Sequence, residues 1–84
     1  MEALDGNAIA GLLLDVFGAE MTTATGTCAN CGSAGELATL VVYLQAPGTV
    51  VRCRSCTEVV GVIVERRSVK CVDLRGLSSL EHAD

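Results

Sequence analysis

Cys28-Ala29-Asn30-Cys31 and Cys53-Arg54-Ser55-Cys56 are the two stretches whose reading decides the fold. Each is a CxxC pair, whose gap lets both sulfurs grip one ion from a single tight loop. Cys28, Cys31, Cys53 and Cys56 together supply a complete tetrahedral set of thiolates for one structural Zn²⁺. Residues 32–52 between the pairs have room for a strand, a turn and a returning strand.

That pattern predicts an α+β fold: an N-terminal helix packed on an antiparallel β-sheet of zinc-ribbon type, with two CxxC knuckles meeting across the ion. The alternatives are disulfides or redox CxxC pairs. A thioredoxin-like motif needs a βαβ context that neither pair has, and reduced cytoplasmic thiols read as metal ligands first. Iron fits the same sulfur cage, as in rubredoxin-like electron carriers. Zinc is favoured over iron because a redox centre gains from a dry, bulky shell, and Phe17 and Tyr43 are the only aromatics.

Size explains why an ion would matter. Eighty-four residues make a single zinc-ribbon domain, 1–84, that buries only about two-thirds of its unfolded surface. Its core must come from the aliphatic residues that dominate its 50% hydrophobic content.

Working outward, Leu4, Ala8, Ile9, Leu12, Leu13, Val16 and Phe17 recur at helical spacing, predicting a helix over 4–18 with Asp5 or Asn7 at its start and Gly18 at its end. It lacks the Lys/Arg-rich polar face of a membrane-surface helix, so core packing is the expectation. The sheet is expected over 22–74. Its strands are 22–27, 36–45, 49–52, 59–64 and 68–74, with turns at Ala46-Pro47-Gly48 and Glu65-Arg66-Arg67-Ser68. Val59–Val64 is apolar almost throughout, which predicts cover on both faces: the helix on one, the 77–80 tail or a second chain on the other. Residues 75–84 are expected to be a tail with a short helical turn.

The net charge of −4 argues against general attraction to nucleic acid. Yet Arg52, Arg54, Arg66, Arg67, Lys70 and Arg75, all the cations, fall in 52–75, where they outnumber Glu58, Glu65 and Asp73. The cluster reads as compensation of a dianionic zinc–thiolate centre, or as a docking patch.

Cys71 reads as a small buried core residue of the last strand. His82, the sole histidine, reads as solvent-exposed near the end, with no partner for a nucleophile–base set. Four thiolates leave no open metal position for activating water, so no enzymatic activity is expected. The acidic start is unlike a secretory signal, and no apolar run approaches the ~20 residues of a membrane span, which predicts a cytoplasmic location.

Ala3–Gly11, Met21–Cys28, Ala46–Arg54 and Cys71–Gly76 resemble a family of short actinobacterial proteins, a domain of unknown function with zinc-ribbon character. The resemblance spans nearly the whole chain and implies a bacterial cytoplasmic metal-binding protein with Cys28, Cys31, Cys53 and Cys56 as ligands. It brings no activity, substrate or partner with it.

The expected role is therefore a zinc-binding structural or adaptor protein acting through a protein partner or a homodimer. The alternatives are a transcription- or translation-associated nucleic-acid accessory and an electron carrier.

Overall fold

The structure, a computed structural model, describes residues 4–45 and 48–81. The expected turn residues Ala46 and Pro47, and His82, lie outside the described residues. The chain forms two antiparallel sheets and one short helix. Strands β1 (Leu4–Asp5), β4 (Val41–Gln45), β5 (Gly48–Arg52), β6 (Val59–Arg66) and β7 (Val69–Asp73) make the larger sheet in the order β1-β4-β5-β6-β7. A smaller one has the order β3-β2-β8, from β2 (Thr25–Cys28), β3 (Ala34–Glu36) and β8 (Leu77–Glu81).

The N-terminal helix is shorter than its periodicity predicts. Leu4–Asp5 pairs with Val41–Val42 as a strand. Gly6–Ile9 is a 3-10 turn capped by the Asp5 carboxylate, which accepts from the Asn7 N–H, and α1 runs only over Ala10–Phe17. Gly18, at φ 71°, closes it as expected. The reason lies at Gly6, where a Cβ would fall 1.9 Å from the Leu37 carbonyl oxygen. The chain must approach Leu37 closely there, and an ordinary helical turn carries side chains outward.

Leu37 also breaks the expected 36–45 strand. Leu37–Thr39 is a 3-10 turn whose N–H groups reach across to the 21–24 turn: Leu37 donates to the Ala24 carbonyl and Ala38 to the Thr22 carbonyl. The Glu20 carboxylate shapes that turn by accepting from the N–H and hydroxyl of Thr22, so β2 starts at Thr25 rather than Thr22.

The predicted C-terminal tail is a correction of a different kind. Residues 77–81 are strand β8, paired with β2 from Thr25↔Glu81 to Cys28↔Leu77. The register shift between Thr27 and Cys28 leaves Ser78 as an extra residue. It brings Leu77 and Leu80 onto one face, opposite Cys28 and Gly26, despite their three-residue spacing. That spacing imitates a helix. A second bulge does the same for β6, where Arg52 faces Val59 and Val51 faces Gly61. Val60 is the extra residue, 1% exposed, and lies beside buried Gly61.

Ile9, Leu13, Met21, Ala24, Leu37, Val42, Val51, Val60 and Ile63 form the core, with the buried Cys28 and Cys53 at one end of it. α1 covers the face of the larger sheet that carries Val42, Val51 and Ile63. The opposite face, with Tyr43, Val50, Val62 and Val64, is only half-buried, and the tail does not cover it because β8 belongs to the smaller sheet. Cys71 lies on this face and is exposed, correcting the expected core position. It pairs with Val64 on the last strand of the sheet, where no further strand among the described residues shields it.

Candidate metal centre

Each knuckle is a loop that leaves one strand and turns back on itself. In the first, β2 delivers Cys28, and the Gly32 N–H returns to the Cys28 carbonyl at 2.9 Å. In the second, Cys53 directly follows β5, and the Thr57 N–H returns to the Cys53 carbonyl at 3.0 Å. The closing residue is left-handed in both, with φ 77° at Gly32 and 65° at Thr57. The backbones thus match although the residues differ. A β-branched residue in this region costs about 1–2 kcal/mol. Thr57→Gly is therefore expected to raise stability by roughly 0.5–1 kcal/mol, because glycine's greater freedom in the unfolded chain offsets part of the gain. A chemical-denaturation midpoint measures it.

The loops bring the four predicted sulfurs together. All lie within 4.8 Å of one another, and the cross-knuckle pairs Cys28–Cys56 and Cys31–Cys53 stand 3.7 Å apart. A disulfide would hold its sulfurs at about 2.05 Å. A tetrahedral Zn–S shell with bonds of about 2.3 Å places them about 3.8 Å apart. The spacing fits the ion and not the crosslink. Cys28 and Cys53 are buried, Cys56 is half-buried and Cys31 is exposed, so the cluster has a protected side and an open one.

The surroundings are built for sulfur anions. Ser55 N–H donates to Cys53 Sγ at 3.4 Å. The Cys56 and Ser55 N–H groups draw the Cys53 thiol below its ordinary pKa. The Asn30 amide, then the Glu58 N–H, bring Cys56 down to about 6. At Cys31 the Ser33 N–H favours the thiolate. Desolvation and the crowding thiols of Cys53, Cys56 and Cys28 outweigh it and push the group up to about 12. Four thiolates at these distances repel one another, and a divalent cation among them removes the conflict. The four cysteines thus form a possible metal site.

The chain belongs to a family of unknown function (DUF6510). The family's model covers residues 1–84. No curated protein and no solved structure matches the chain.

Some contributors to the site escape a reading of the sequence. Asn30, a gap residue of the first knuckle, favours the thiolate of Cys56 of the second. The Ser33 and Ser55 hydroxyls bridge the two loops at 3.2 Å. Gly76 accepts the Ala29 N–H at 2.8 Å, tying the first knuckle to the start of β8. No local pattern announces these contacts, since each joins segments distant in the chain.

The basic cluster over 52–75, continuous in sequence, is divided in space. Arg52 bonds the Thr57 carbonyl at 2.9 Å and lies over the Tyr43 ring, 5.9 Å from its centroid. Lys70 pairs with Glu65 at 3.0 Å, and Arg75 with Asp73 at 2.8 Å. The Arg75 guanidinium and backbone N–H hold the Asp73 carboxyl down at about 2. Arg54 sits at the second knuckle, while Arg66 and Arg67 sit at the β6–β7 turn. No helix among the described residues is long and apolar enough to cross a membrane.

Proposed function

We propose that this chain is a zinc-binding structural protein of zinc-ribbon type that works as an adaptor for protein–protein contact in the cytoplasm. The observation that carries the reading is the cluster of four sulfurs within 4.8 Å of one another, whose two cross-knuckle spacings of 3.7 Å match the edge of a Zn–S shell. Cys28, Cys31, Cys53 and Cys56 would hold the ion, and with four protein ligands it would serve structure rather than water activation. The adaptor half of the reading draws support from the half-exposed Val and Tyr face of the larger sheet, since exposed apolar patches mark interaction surfaces. The scattered cations favour this over nucleic-acid binding, which needs a continuous basic surface.

Elemental analysis of the purified protein tests the metal. One zinc per chain is expected, together with a colourless solution, and replacement by Co²⁺ should give the intense visible bands of tetrahedral thiolate coordination. Iron in place of zinc, or no metal after purification under reducing conditions, would overturn the reading.

A further inference from the structure

We propose that β7 is a self-association edge, pairing antiparallel with β7 of a second copy of this chain about a two-fold axis through Cys71. Among the described residues, β7 ends the larger sheet with no further strand beyond it. Natural sheets guard such an edge with charge, proline or shortness. β7 has no proline, its charged Lys70 and Asp73 are drawn into pairs with Glu65 and Arg75, and it exposes Val69 at 61% and Val72 at 40%, one on each face. Other edges are guarded: β1 has two residues, β3 has three, and β8 is broken by the bulge at Ser78 and carries Glu81.

The hairpin geometry fixes what β7 offers. Arg67 and Ser68, both with positive φ, form a two-residue turn closed by Arg66↔Val69. In such a hairpin the closing pair is hydrogen-bonded and alternate pairs follow it, so Val69, Cys71 and Asp73 spend their backbone groups on β6. Lys70 and Val72 turn theirs outward.

A two-fold axis at Cys71 sets Lys70 opposite Val72 of the second copy, and Val72 opposite Lys70, each pair exchanging both N–H···O=C bonds. Charge selects this register. A shift placing the axis at Lys70 would oppose two ammonium groups, and a shift to Val72 would set Asp73 against a thiol. At the chosen register Val69 faces Asp73 of the second copy. Arg66, paired with Val69 across the hairpin and without an ion-pair partner among the described residues, extends toward that carboxylate, which Arg75 of its own chain also holds. Leu14, 49% exposed, adds apolar surface on the helix that carries Asp15, whose charge acts on Lys70. The result is one sheet running through both copies, with the Tyr43–Val50–Val62–Val64 face continuous across the seam. This gives the interaction role a partner and rests on that half of the proposed function, not on the ion.

Cys71 reports the arrangement directly. As a non-hydrogen-bonded pair, the two Cys71 Cα atoms would lie about 4.5 Å apart, inside the range of about 4.4–6.8 Å that a disulfide spans. Light scattering of the zinc-loaded protein should give twice the chain mass of 8.7 kDa, and mild oxidation should link Cys71 to Cys71. Cys71→Lys and Cys71→Glu, both at an exposed position, should each be monomeric. Mixing the two should restore the dimer by pairing opposite charges. Metal content of the same samples separates failure of this edge from failure of the metal reading. A wild-type monomer throughout, or dimers of each single variant as tight as wild type, would overturn the proposal.

Discussion

Cys53→Ala is expected to abolish cooperative folding at 25 °C. Cys53 is buried and supplies one of four sulfurs, and its neighbours Cys28, Cys31 and Cys56 all lie within 4.8 Å of it. A structural zinc ion contributes roughly 10–16 kcal/mol of apparent binding energy at neutral pH. A domain's entire stability is typically about 5–15 kcal/mol. On the proposed zinc reading, losing Cys53 removes a contribution as large as the fold's margin. The second knuckle loses its anchor, and with it the link from β5 to β6. Circular dichroism and amide dispersion in NMR spectra check this, and Cys71→Ala is the control. Cys71 is exposed and outside the cluster, so its replacement should leave the unfolding midpoint essentially unchanged.

Gly76→Ala is expected to rank with Gly6→Ala among the most damaging single methyl additions in the chain. A Cβ there would lie 2.3 Å from Val60 Cα and 2.5 Å from the Val59 carbonyl oxygen, both backbone atoms that no rotamer change can clear. Gly76 also accepts from Ala29 in the first knuckle, so moving it disturbs that cysteine loop and the β6 bulge together. Overpacking of this kind costs about 1–3 kcal/mol and occasionally more, and the rigidity of the obstacle puts this case at or above the upper end. Gly11→Ala should have the opposite sign. It lies exposed in α1 with nothing within 4 Å of an added Cβ, and alanine is worth up to about 1 kcal/mol over glycine in a helix. Urea midpoints of the two variants, bracketing wild type on opposite sides, are the check.

These residues also show what the sequence makes legible. The cysteine quartet is readable because its chemistry is written in local spacing, and the knuckles close as that spacing requires. Pairings that join distant segments are not. Leu4 to Ile9 carry a helical period, yet Leu4 pairs with Val42 and Gly6 is pressed against Leu37, contacts that override propensity. Leu77 and Leu80 look helical because a bulge at Ser78 restores them to a common face. The Val59–Val64 run suggested a strand covered twice. The bulge at Val60 accounts for part of its apolar character, and half-buried Val62 and Val64 for the rest. The expected core position of Cys71 fails for a related reason. Its alternation with Lys70 gives the face correctly, but only the strand order reveals that this face is uncovered.

The most direct measurement is thermal unfolding before and after removal of the ion by a strong chelator under reducing conditions. The sulfur spacing predicts loss of the cooperative transition on chelation and its return with one equivalent of Zn²⁺. A chain stripped of metal that melts as sharply and at the same temperature as before would contradict the claim that these four cysteines hold the fold together.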